Sequence, residues 1–303
     1  MLKSKLKTSG VSRYSILWRR LVHKPITTMF KVTLKRKIKL IRNNYTPNGK
    51  PAIYAVTHVF YDDIAAVCCC FKRNAFLLSG IEGPNNTPSF IERIALRING
   101  VIVVNRANKY SRETSFNKTI EILNNRGDIQ IYPESAWNFS PNVLISKLNW
   151  GIIKIAKETG ANIVPVAVDI VDNDYCVILG NNFDYENYTD LNIATDELRN
   201  KMATLSWELI CLKQPVQRET LTDLYWLNHI QEQYVRMPRK NQSLEEDYMY
   251  RPKDEIGLSE ILADMHGIEN KSMAVDYERY KEVEKLIENW TKPVNVKNVK
   301  NDK

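Results

Sequence analysis

The first fifty residues contain no Asp or Glu, although they hold fourteen Lys or Arg. Over residues 51–303 the balance reverses to 29 basic against 35 acidic side chains, so the net charge of +8 arises at the N-terminus alone. Long apolar runs are also missing. Nothing approaches the ~18 consecutive apolar residues of a spanning helix, and no compact apolar stretch with a cleavage site opens the chain. A membrane-spanning or secreted protein is therefore not expected. Cysteine is scarce, with five in 303 residues. Cys68, Cys69 and Cys70 are consecutive, which offers neither a disulfide framework nor metal-ligand spacing, so no metal or cofactor is expected and a reducing compartment fits. Packing inside a helix explains the triplet better than redox or nucleophilic chemistry. There is no internal repeat.

Apolar content of 44% with 26% charged residues is ordinary for a globular chain of this length, which is long enough to bury a sizeable core. In the basic segment, residues 1–45, Trp18, Leu21, Met29, Phe30 and Val32 alternate with Arg19, Arg20, Lys24 and Lys31, and Pro25 divides the segment into two pieces. Basic amphipathic helices with aromatic residues suit the interface of an anionic bilayer. The same stripe can pack against the rest of the protein, and basic helices also bind nucleic acid. No recognition motif accompanies the charge, so nucleic acid is not expected as a partner. An acidic protein is a further candidate partner for the positive surface.

Beyond residue 50, strand-like and helix-like segments alternate: 52–57 and 61–72, 75–79 and 88–98, 101–105 and 111–125, 128–132 and 148–159, then strands 162–169 and 175–179. Such alternation predicts an α/β domain over 46–212, with a largely parallel central sheet flanked by helices. A helix over 195–211, capped by Thr195, closes it. Residues 213–303 read as a helical C-terminal extension, with candidate helices at 219–235, 243–249, 256–264 and 273–290.

The chemistry-bearing candidate is His58 with Asp63, just past the apolar run Ala52–Val56. Five positions along one helix would rotate two side chains ~140° apart. They can meet only if His58 lies in a turn and Asp63 in the first turn of the next helix. A carboxylate on one ring nitrogen sets the tautomer and leaves the other nitrogen to take a proton from a hydroxyl. Such a pair also arises by chance. Three segments follow in order: Gly100-Val101-Ile102-Val103-Val104-Asn105-Arg106, Ile131-Tyr132-Pro133-Glu134-Ser135 and Ile163-Val164-Pro165-Val166-Ala167-Val168. Arg106 by itself reads as an exposed strand end and Glu134 as a loop cap. Pro165 reads as an edge or a bulge.

Taken together, the four segments resemble the block pattern of the glycerolipid acyltransferases, the family typified by 1-acylglycerol-3-phosphate O-acyltransferase. The resemblance implies His58 as general base on an acceptor hydroxyl, Asp63 as its orienter, and direct attack on an acyl thioester supplied by coenzyme A or a carrier protein. It implies Arg106 on the phosphate of a lysophospholipid acceptor, a Pro-Glu pair at Pro133 and Glu134, and an acyl-site strand at Pro165. Ser135 and Trp137 fall in the substrate-binding third block, which in the family usually reads Phe-Pro-Glu-Gly-Thr-Arg-Ser. Here it reads Tyr132-Pro133-Glu134-Ser135-Ala136-Trp137-Asn138, so an indole stands where the family has a second phosphate-binding arginine. An indole offers one neutral donor in place of a forked pair of charged ones, which weakens phosphate binding. Thr57 and Phe60 depart from the first block without touching the base. A cytoplasmic enzyme, peripheral on the inner membrane face, is the expectation; the alternatives are a non-catalytic lipid-binding relative, a thioester hydrolase, or transfer to a non-phosphate acceptor.

Overall fold

The computed structural model describes residues 13–34, 36–60, 62–80, 100–105, 108–135, 137–138 and 143–214. The expected helix at 88–98 and the candidate helices beyond 213 lie outside the described residues. Among these residues the elements are α1 (Arg13–Thr33), β1 (Ile38–Asn43), β2 (Ala52–Val56), α2 (Asp63–Cys68), β3 (Phe76–Gly80), β4 (Val101–Val104), α3 (Lys109–Asn124), β5 (Ile129–Ile131), α4 (Gly151–Thr159), β6 (Asn162–Val171), β7 (Asp174–Leu179) and α5 (Leu191–Ile210).

The strands form one seven-stranded sheet in the order β1-β7-β6-β2-β5-β3-β4. Every neighbouring pair is parallel except β6 with β7, which the turn at Asp172-Asn173 returns antiparallel. This is the predicted α/β architecture. β2 is buried at all five positions because layers cover both sheet faces, as an unbroken apolar run in a parallel sheet requires. Ile53 and Ala55 pack with Ile122, Ile153, Leu198 and Met202 of α3, α4 and α5; Tyr54 and Val56 pack with Ala66, Val67 and Phe71 on the other face.

Three local expectations are corrected. Pro25 does not divide the N-terminal helix, which runs through it. A proline removes a single i→i−4 bond, and α1 is tied to the domain on the preceding turns: Ile16 is in the core, Arg19 donates to Ala75 O at 3.1 Å, and His23 Nε2 donates to Phe71 O at 2.9 Å. Residues 38–43 are the edge strand β1, paired with β7 from Ile38↔Tyr175 to Asn43↔Leu179, and are not part of a helical segment ending at 45. Lys39 and Arg42 lie on that strand, and charged side chains are a usual protection of a sheet edge. The last helix starts at Leu191 and is capped by Asp190, whose carboxylate accepts Asn192 N–H at 2.6 Å; the Thr195 hydroxyl instead bonds back to Leu191 O.

Arg19 is almost fully buried, with its guanidinium 5.1 Å from the Phe76 ring centroid, and burial lowers its pKa to about 10. Gly100 makes room for it. A Cβ there would lie 2.4 Å from Arg19 Cζ, and φ is +67°, so glycine answers both the contact and the backbone.

Candidate active site

His58 stands at the carboxyl end of β2, where open α/β sheets place their sites. Thr57 carries the ladder one residue past the strand: its N–H donates to Val166 O at 3.1 Å and its hydroxyl accepts Val168 N–H at 3.1 Å. The chain then turns, and α2 begins at Asp63, which is fully buried. Asp63 Oδ2 accepts His58 Nδ1 at 2.8 Å, Val59 N–H at 3.0 Å and Phe60 N–H at 3.3 Å. The turn and the pair are therefore built by one carboxylate oxygen. With Nδ1 carrying the proton, Nε2 is left as the basic nitrogen.

The end of β5 forms the opposing wall. Pro133 and Glu134 are the corner of a turn closed by Ser135 N–H to Tyr132 O at 3.0 Å, which leaves Ser135 at φ +65°. That left-handed position is where the family pattern has glycine, and serine there costs roughly 1 kcal/mol or more. The Ser135 N–H is taken up in closing this turn, and Ala136 lies outside the described residues. Glu134 is 1% exposed and faces protein: Oε1 accepts His58 N–H at 3.1 Å and Oε2 accepts Ser146 N–H at 2.8 Å. Asn138 N–H donates to His58 O at 2.7 Å, while its amide holds Val143 O and Leu144 O. This fastening lays Trp137 on the base, with ring centroids 4.5 Å apart and planes 29° from parallel. Tyr132 also meets the imidazole, centroids 4.2 Å apart.

Beside these walls is a cavity of about 610 Å³. His58, Ser135 and Trp137 line it together, with Arg112 and Asn149; Leu77, Leu78, Phe116, Ile152 and Ile155 make its interior apolar. The volume falls in the ~300–1,000 Å³ range of small-molecule sites. Glu134 does not line it; both carboxylate oxygens face backbone amides. Pro165 does not line it either. It sits on β6 between β2 and β7, where Gly180 N–H donates to its carbonyl at 2.8 Å and three residues, 180–182, oppose two, 164 and 165, between the pairs Val166↔Leu179 and Ile163↔Phe183. The proline marks a bulge. Arg106 lies outside the described residues.

Sequence reasoning missed the helical wall, including Arg112, Phe116 and Ile155, and the Asn149 amide that reaches Pro133 O and Ser135 Oγ. The apolar period of α4 was a usable signal for Ile152 and Ile155; Asn149 carried none.

A family model described as Acyltransferase matches residues 37–169, which include His58, Asp63, Arg106, the turn at Tyr132–Ser135 and Pro165. The fold is similar to that of PlsC from Thermotoga maritima, a 1-acyl-sn-glycerophosphate (LPA) acyltransferase, with a TM-score of 0.52 at 14% identity over 65% of this chain and 83% of that one. At such identity the likeness is one of fold. No curated protein sequence matches the chain. The four motif segments stand in order along the family match, so residues 37–169 are similar to the Acyltransferase family, and the match together with the shared fold supports the glycerolipid acyltransferase superfamily.

Proposed function

We propose that this protein moves a fatty acyl chain from an acyl thioester, acyl-CoA or acyl carrier protein, to the hydroxyl of a lysophospholipid, with 1-acylglycerol-3-phosphate first among acceptors. The observation that carries this reading is the His58–Asp63 pair, 2.8 Å apart, on the wall of an apolar cavity. The acyl chain occupies the space between α3, α4 and the sheet. His58 Nε2 takes the acceptor's hydroxyl proton as that oxygen attacks the thioester carbonyl, and Asp63 stabilises the imidazolium. The carbon–sulfur bond then breaks, and the imidazolium returns its proton to the departing thiolate. Arg106 is assigned to the acceptor phosphate. Trp137 at the cavity wall, where the family pattern has arginine, favours a second reading, an acceptor whose headgroup is not a phosphomonoester.

The enzyme works at an anionic membrane surface. Leu17, Trp18, Leu21, Met29 and Val32 are exposed on α1, Val32 at 79%, with Arg20, Lys24 and Lys31 exposed around them. That face suits interfacial binding, each surface cation contributing about 1 kcal/mol. Among the described residues no helix is long and apolar enough to cross a membrane.

The test is mass spectrometry of products after purified protein, or a His58→Ala variant, meets an acyl thioester and mixed lysophospholipids in liposomes. A new acylated lipid that disappears with His58→Ala is the expected result, and it names the acceptor. Free fatty acid alone points to a hydrolase, and retained transfer by folded His58→Ala removes the assigned base.

A further inference from the structure

Asp63 grips His58 through one oxygen. Oδ2 takes the ring N–H and two backbone N–H groups, whereas Oδ1 is buried without a hydrogen bond. A fully buried carboxylate oxygen left without a donor is costly, so a neighbouring donor is called for. The Tyr132 phenol is that neighbour. Its ring lies 4.2 Å from the imidazole, centroid to centroid, and its oxygen accepts Gln130 Nε2 at 2.7 Å. Because the amide occupies it as an acceptor, the phenol has its single proton to give elsewhere. Burial first, then the Asp63 charge, push this phenol well above its ordinary pKa, so it stays protonated. The family pattern has phenylalanine at this position, and the hydroxyl is this chain's own addition.

We propose that Tyr132 is a positioning residue whose hydroxyl donates to Asp63 Oδ1, completing a chain Gln130–Tyr132–Asp63–His58 that orients the carboxylate and tempers the base. This deepens the proposed function and rests on His58 acting as its base. Each donor to a carboxylate draws off charge and weakens its hold on an imidazolium. Removing the phenolic donor therefore makes His58 harder to deprotonate. The other titratable groups around the pair are Cys68 along α2, Glu134 after β5, turned to backbone amides, and Arg112 across the cavity.

Tyr132→Phe keeps the ring and removes only the donor. In that variant the acid limb of the kcat/KM–pH profile is expected to move to higher pH by roughly half to one unit, and the His58 Nδ1–H proton resonance to move downfield. Gln130→Met, which leaves the hydroxyl in place, should move the limb less. An unchanged limb and resonance in folded Tyr132→Phe, with His58→Ala inactive, overturn the chain while leaving the base assignment standing. Transfer that survives His58→Ala fails the base assignment first, and a larger shift in Gln130→Met than in Tyr132→Phe overturns the order drawn.

Discussion

Glu134 holds the main chain of His58: its Oε1 accepts the His58 N–H at 3.1 Å across 76 positions of sequence. The second oxygen takes Ser146 N–H at 2.8 Å, and the next loop residue inward, Asn138, returns an N–H to His58 O at 2.7 Å. The imidazole is thus set by Asp63 and its backbone by the segment after β5. Catalysis rewards such support, because a base displaced by about 1 Å can lose roughly a hundredfold in rate.

Glu134→Ala leaves two largely buried amides without acceptors. At about 1–3 kcal/mol each, less whatever water can enter, a loss of about 2–4 kcal/mol is expected in urea denaturation, with activity falling alongside. Glu134→Gln keeps one acceptor and sets an amide NH₂ against the other donor, so it should lie between. An unchanged midpoint for Glu134→Ala would show that the clamp does not stabilise the fold.

Ile155 is 4% exposed and lines the apolar part of the cavity. Ile155→Phe shortens the space for a chain, at a stability cost of about 1–3 kcal/mol from overpacking. Competition between thioesters of different length should shift the preferred donor to a shorter chain. Unaltered chain preference would place the acyl group elsewhere.

Burial pushes the Cys68 and Cys70 thiols up to about 12, whereas in an unfolded chain they ionise near ~8.5. Raised folded values mean that the unfolded state loses protons first as pH rises. Stability from these thiols is full below about pH 8.5 and declines toward pH 12. The urea midpoint should fall between pH 8.5 and 10.5, and the fall should shrink in Cys68→Ala. In iodoacetamide labelling followed by mass spectrometry, exposed Cys211 reacts well before Cys68.

Gly100→Ala forces a side chain onto a backbone at φ +67° and against the buried Arg19 guanidinium. The conformational cost alone is about 1 kcal/mol or more, and displacing Arg19 from Ala75 O adds to it. Thermal unfolding is expected several degrees lower. Pairing the change with Arg19→Met should recover part of the loss, and a strictly additive double variant would contradict the contact.

Trp18→Glu with Leu21→Glu places two carboxylates on the exposed face of α1, away from Arg19 and His23, which hold the helix to the domain. Sedimentation with anionic vesicles should drop sharply while the unfolding midpoint changes by no more than about 0.5 kcal/mol. Undiminished vesicle binding would assign that face another role.

The sequence alone determined what depends on neighbours along the chain. β2 and β6 show as apolar runs because strands buried on both faces must be apolar throughout. The His58–Asp63 pair was legible because five residues across a strand-to-helix turn leave few geometries, and Pro165 because a proline always interrupts a ladder. Residues that face partners far away were not legible. A basic, apolar-spotted stretch at 38–43 suits helix and strand equally, and only Tyr175–Leu179 of β7, more than 130 positions on, made it a strand. The Pro-Glu motif marked Glu134, yet a carboxylate can face substrate or backbone, and the amides of His58 and Ser146 decided which. The cavity wall from α3 and α4 and the pairing of Gln130 with Tyr132 likewise exist only once the layers close. Local spacing is set by covalent geometry; which buried donor meets which acceptor is set by packing, and that is a property of the tertiary structure.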